Sequence, residues 1–162
     1  VLFAPDPALT PWALSLGEQP DSLRQSVAAD IDGDGLQELV VAYRAQPGQS
    51  IALTVYDDQP AGFVSTQSLT ISTQSTNHIN VVAADVNGDG LDDIFIGGAL
   101  GQSGILYTQQ QDGTFKVTDS QPWETDKNSE DLGALFLDVD GDNDQDLYVT
   151  SGGNEFLKAE TE

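Results

Sequence analysis

The chain contains no cysteine, a single histidine and only five basic residues against 27 acidic ones. Without cysteine there are no disulfides, thiolate ligands or thiol nucleophiles. At a formal charge of −22 a nucleic-acid backbone would be repelled rather than neutralised, and insertion into or binding at an anionic membrane is disfavoured for the same reason. No apolar run approaches the roughly 20 residues that span a bilayer as a helix. The chain opens on Val1 without an initiator methionine or a signal-peptide pattern, which reads as a processed protein or an excised piece. His78 has no Ser, Cys or metal-ligand partner at a recognisable spacing and reads as an ordinary surface or turn residue, so the sequence points away from an enzyme. There is no N-x-S/T sequon and no convincing long helix pattern.

What is present is a repeat. DIDGDGLQELV begins at Asp30, DVNGDGLDDIF at Asp85 and DVDGDNDQDLY at Asp138, spacings of 55 and 53 residues. Aligning on these stretches brings SVAAD, NVVAAD and ALFLD together before them, and ELVVAY, DIFIGG and DLYVTSGG after them. Further on, Ser50–Asp58 matches Gly104–Asp112, and Gly62–Ile71 matches Gly113–Gln121. Alternating, β-branched and aromatic runs punctuated by turn residues predict four short strands per unit: a before the loop, b directly after it, then c and d joined by a turn such as Gln111-Asp112-Gly113.

Units of this length with four strands and no crossover helix predict an all-β fold of β-propeller blades, each of four antiparallel strands. About three blades' worth is expected, with half-blades at both termini. Residues 1–25 supply strands c and d of an incomplete blade, 26–79 a blade with loop 30–38, 80–131 a blade with loop 85–93, and 132–162 strands a and b of an incomplete blade with loop 138–146. Three blades do not readily close a ring, so the open ends predict either completion by another chain or the missing remainder of a longer propeller.

Each loop sets oxygen-bearing side chains at positions 1, 3, 5 and 9: Asp30, Asp32, Asp34 and Glu38; Asp85, Asn87, Asp89 and Asp93; Asp138, Asp140, Asp142 and Asp146. The position-7 carbonyls of Leu36, Leu91 and Asp144 are expected to add a main-chain ligand. Carboxylates crowded into one short loop repel by roughly 1–4 kcal/mol per pair at about 4 Å, and a cation reverses that sign. An all-oxygen set selects a hard ion, and the number of ligands favours Ca²⁺ over Mg²⁺, about three ions in all. Three divalent ions would bring the charge from −22 to −16. An EF-hand needs a bidentate Glu at position 12 and flanking helices; here position 12 is Val41, Ile96 or Val149, inside strand b, and closure falls to position 9. Gly33, Gly35, Gly88, Gly90 and Gly141 permit the positive φ such a loop needs, with Asn143 as a substitute at position 6.

With these residues in view, the chain resembles the FG-GAP or VCBS-type repeat β-propellers, which also form the calcium-bearing blades of integrin α-chain heads. DIDGDGLQEL, DVNGDGLDDI and DVDGDNDQDL match the family's DxDGDGxxDL pattern, and FIGGAL and YVTSGG occupy its strand-b segment, over about residues 26–156. The resemblance implies calcium between strands a and b in secreted or cell-surface proteins, often bacterial. Asn87, Glu38 and Asn143 depart from the pattern, and Asn87 removes a charge, which makes the second site the weakest.

The expected function is therefore an extracellular, calcium-binding module with a structural, adhesive or assembly role, self-associating as a ring or a head-to-tail filament. Calcium rigidifies each blade. Alternatives are a carbohydrate-binding module that presents Trp12, Trp123 or Tyr107 to a glycan, a contact with a cell-surface protein, or the propeller of a secreted polysaccharide-active enzyme. Inter-blade packing is the default for both tryptophans. Asp57-Asp58, Asp92-Asp93 and Glu130-Asp131 are read as solvated turns rather than acid/base pairs.

Overall fold

The computed structural model describes residues 23–44, 50–59, 62–71, 79–125 and 127–152. These contain ten strands and no helix. Strands β1 (Leu23–Ala29), β2 (Glu38–Arg44), β3 (Ile51–Gln59) and β4 (Gly62–Ile71) form one sheet in chain order. Strands β5 (Val81–Ala84), β6 (Asp93–Ile96), β7 (Ile105–Gln109) and β8 (Phe115–Val117) form a second, and β9 (Glu130–Leu137) pairs with β10 (Asp146–Gly152). Every pairing is antiparallel. Both complete sheets follow the a-b-c-d order expected from the repeat, an arrangement compatible with propeller blades. The expected c and d strands of the first, incomplete unit, with Trp12 and His78, lie outside the described residues.

The register explains where the loops sit. Position 9 of each loop pairs directly with the residue that precedes position 1: Glu38 with Ala29, Asp93 with Ala84, and Asp146 with Leu137. Each acidic loop is thus the closed end of an a–b hairpin. Such a tight turn needs left-handed backbone at positions 4 and 6. Gly33, Gly88 and Gly141 adopt φ of 75°, 75° and 80°, and Gly35, Gly90 and Asn143 adopt 86°, 86° and 73°. Asn143 shows that an Asx side chain fills the glycine role at position 6.

The main core lies between the first two sheets. Ala29, Ile31, Val40, Ala42, Ile51, Leu53 and Val55 of the first pack against Val81, Ile94, Ile96 and Tyr107 of the second. The first strands of successive sheets are neighbours, β1 beside β5 and β5 beside β9. Period 2 sends alternate residues of strand b to opposite faces: position 10 (Ile94, Leu147) looks back at the preceding sheet, position 11 (Val40, Phe95) forward to the next. Phe95 meets Trp123 edge-on at 5.6 Å, and the Trp123 indole N–H donates to the Gly104 carbonyl at 2.9 Å. A cavity of about 210 Å³ separates this pair from Leu147 and Val149. No helix among the described residues is long and apolar enough to cross a membrane.

Candidate metal centres

The three loops share one hydrogen-bond skeleton, written by side chains onto their own backbone. The position-1 carboxylate spans the turn: Asp30 accepts from the N–H groups of Gly33 and Gly35 at 2.8 and 2.9 Å, Asp85 from Gly88 and Gly90 at 2.7 and 2.9 Å, and Asp138 from Gly141 and Asn143 at 2.7 and 3.1 Å. Position 3 accepts from the N–H of position 5: Asp32 from Asp34, Asn87 from Asp89, Asp140 from Asp142. Position 5 in turn accepts from position 7, where Leu36, Leu91 and Asp144 contribute their N–H groups. Position 9 reaches back to position 2: Glu38 accepts from Ile31 at 2.7 Å, Asp93 from Val86 at 3.4 Å, and Asp146 from Val139 at 3.0 Å.

This skeleton draws positions 1, 3 and 9 together. Oxygens of Asp30, Asp32 and Glu38 lie within 4.8 Å of one another, as do those of Asp138, Asp140 and Asp146. Asp34 and Asp142 stand outside these close groups. The donor chemistry fits a hard divalent cation, because three carboxylates held this close by backbone N–H groups carry repulsion that no cationic side chain in the group relieves.

The second loop differs. Its position 3 is an amide, and Asn87 Nδ2 donates to Asp93 Oδ2 at 3.3 Å. Asp93 is fully buried and also accepts the Gln109 N–H at 2.8 Å. Both carboxylate oxygens of Asp93 thus accept from the protein's own donors, Oδ1 from Gln109 and Oδ2 from Asn87 and Val86.

Burial and crowding appear in the acidities. Burial raises the Glu38 pKa above its ordinary value, the Ile31 N–H opposes the rise, and the charges of Asp32, Asp30 and Asp34 add to it. Burial likewise raises Asp93, against the N–H groups of Gln109 and Val86. In the exposed third loop the Asp144 N–H holds Asp142 below the usual carboxylate range, while a side-chain hydrogen bond with Asp142 pushes Asp144 up.

Three acidic pairs are not the solvated turns expected of them. Asp57 and Asp58 lie within β3. Asp92 is half-buried and clamps two sheets: its Oδ2 accepts the Asp30 N–H at 2.8 Å while its own N–H donates to the Asp30 carbonyl at 3.2 Å. Burial is the main cause of its raised pKa. Gln109 Nε2 donates to the Ile31 carbonyl beside this clamp. Glu130 is buried, and Asp131 makes a second reciprocal clamp, accepting the Gly98 N–H at 2.6 Å and donating to the Gly98 carbonyl at 2.9 Å. The only trace of the first clamp in the sequence is that position 8 is Gln37 and Gln145 elsewhere but Asp92 in the second loop.

Tyr107, expected as a possible glycan platform, is 9% exposed and belongs to the core. Trp123 packs on Phe95 of its own 80–131 unit. Comparison with curated proteins and with solved structures finds no match. A family model for the FG-GAP-like repeat matches twice, over residues 30–96 and 85–149, each match running from the start of one acidic loop to strand b after the next. By its repeated loops, its hairpin register and these two matches across most of its length, the chain belongs to the FG-GAP-like repeat family.

Proposed function

We propose that this chain is a non-enzymatic, calcium-stabilised β-propeller module of the extracellular space, acting in adhesion or assembly. The observation that carries the calcium reading is the convergence of positions 1, 3 and 9 at the same hairpin end in the first and third loops. Asp30, Asp32 and Glu38 would hold one ion, and Asp138, Asp140 and Asp146 another. Asp85, Asn87 and Asp93 form the weaker third site. A bound divalent ion supplies the positive charge that offsets carboxylate repulsion. At tenfold saturation each ion adds about 1.4 kcal/mol to the folded state. The backbone donors described above keep the carboxylates aimed at one point, so little ordering is left for the ion to impose.

The assembly reading rests on the β9–β10 pair, half of a four-stranded sheet. Position 11 is 0% exposed as Val40 and 1% as Phe95, where a following sheet covers it, but 59% exposed as Tyr148. Leu135, directly opposite Tyr148, is also exposed. We infer that this face and the β10 edge take the next sheet, supplied by another chain in a ring or head-to-tail filament or by further blades of a longer propeller. Of the aromatics named for a glycan-binding role, Tyr107 is buried and Trp123 packs on Phe95, while Trp12 lies outside the described residues.

Calorimetric titration with calcium is expected to show two strong sites and one weak site per chain, and chelation to lower Tm. No heat and no Tm change would remove the calcium reading. Sedimentation in calcium is expected to show concentration-dependent assembly; a compact monomer at every concentration would remove the assembly reading and leave the calcium one standing.

A further inference from the structure

Strand β4 is the longest of the ten, and it is an outer strand: the first sheet ends on it, and no described strand pairs with its far edge. Outer strands usually carry something that keeps a second sheet away, such as a charge, a proline or simple shortness. The outer strand of the second sheet, β8, is only 3 residues long and carries Lys116, which pairs with Asp119 at 3.7 Å. β4 has none of these, and its one irregularity is a bulge at Thr66. Its sequence, GFVSTQSLTI, holds no charge and no proline over 10 residues, and Val64, Ser65, Thr66, Ser68 and Thr70 are exposed. The charge gap is wider than the strand: residues 59–84 contain no Asp, Glu, Lys or Arg, in a chain of net charge −22.

Two copies of so acidic a chain repel wherever carboxylates face each other, and a charge-free edge is where that repulsion is least. We propose that the free edge of β4 pairs with β4 of a second copy, antiparallel, joining two four-stranded sheets across a two-fold axis. The direction follows from charge. Asp57 and Asp58 sit beside Val64 and Phe63, so acidity gathers at one end of the strand. Antiparallel pairing sets that end against the uncharged Thr70–Ile71 end of the second copy, whereas parallel pairing would bring the acidic ends together. Asp112 shares a groove with Gln67, Ser68 and Leu69, but Thr114 occupies its Oδ1 through an N–H at 3.0 Å and a hydroxyl at 2.6 Å.

Full overlap of the two strands places Ser65 opposite Ser68 of the second copy. The two serines lie on one face, since Ser65 pairs with Tyr56 and Ser68 with Thr54 on β3; the register shift between Val55 and Tyr56 leaves Thr66 at the centre of the contact. This contact is lateral. It uses neither β10 nor the face of Tyr148, and it stands whether or not the terminal pairing does.

Because the chain has no cysteine, introduced thiols report without background. Ser65→Cys and Ser68→Cys proteins, mixed under mild oxidation, are expected to give a disulfide heterodimer at least tenfold faster than either gives with a Thr125→Cys control. The basis is that opposed antiparallel residues lie about 4.5–5.5 Å apart at Cα, within disulfide reach. Sedimentation of the cysteine-free protein should show dimerisation that strengthens with salt as repulsion is screened. A Ser68→Asp variant should weaken it at least tenfold while keeping its Tm. Hydrogen exchange at 62–71 should slow as concentration rises. Crosslinking no faster than the control overturns the proposal. So does slow exchange in a monomer at the β4 amides that point away from β3, because a segment of the same chain then covers the edge.

Discussion

Asp93→Ala separates what the protein's own hydrogen bonds do at a loop from what an ion does. Asp93 is fully buried and accepts the N–H of Gln109 at 2.8 Å, with longer bonds from Asn87 at 3.3 Å and Val86 at 3.4 Å. Removing the carboxylate strands the Gln109 N–H, whose residue is 2% exposed, and an unsatisfied buried donor costs about 1–3 kcal/mol. The two longer bonds add a few tenths. Burial pushes the Asp93 pKa up, so removing the charge returns part of that cost. The net loss is about 2 kcal/mol, or about 4–8 °C in Tm for a chain of this length. Because every donor belongs to the protein, scanning calorimetry should find this deficit in excess chelator as well as in calcium. Asp138→Ala is the counterpart. Its partners, the N–H groups of Gly141 and Asn143, are solvent-exposed, so its deficit should appear only with calcium present. An Asp93→Ala protein as stable as the parent in chelator would refute the reasoning and leave Asp93 as a ligand alone.

Asn87→Asp exchanges an internal donor for a third carboxylate at positions 1, 3 and 9, so by calorimetry calcium should bind the second loop at least tenfold more tightly while Tm in chelator falls by a few degrees. Glu38, Asp92 and Asp93 hold protons above their ordinary values of 4.5, 3.8 and 3.8, chiefly through burial. Between the ordinary and raised values the folded state binds more protons than the unfolded one, so stability falls as pH rises through that window. Thermal melts of calcium-free protein should therefore rise on acidification towards these ordinary values, while calcium-loaded protein loses Tm as protons displace the ion. Asp138→Ala with Asp142→Ala should reduce assembly, read by sedimentation in calcium, more than Asp30→Ala with Asp34→Ala, since the third loop orders the open β9–β10 pair; equal effects would remove that distinction.

The repeat, the strand order and the loops were legible in the sequence because their causes are local. A carboxylate at position 1 finds the N–H groups of positions 4 and 6 within its own turn, and glycine or asparagine there supplies the positive φ the turn demands. Alternating apolar residues on either side then close the hairpin with position 9 in register. Nothing beyond some ten consecutive residues is needed, so the pattern is readable three times over.

What the sequence could not show are interactions whose partners lie far along the chain. Asp92 looks like one more acidic turn residue, yet it spans to Asp30, 62 positions away, and Gln109 reaches Ile31 across 78. Asp131 and Gly98 are 33 apart. Tyr107 and Tyr148 both stand in strands, but one is buried by the neighbouring sheet and the other is on a face that no described sheet covers. The sequence by itself therefore determined three cation-type loops, each closing a strand pair, because backbone sterics and short-range hydrogen bonds act within the turn. Only the tertiary structure decided which loop's closing acid is also held by a donor from another strand, which acids clamp sheet to sheet, and which faces stay open, because these depend on which surfaces the stacked sheets bury.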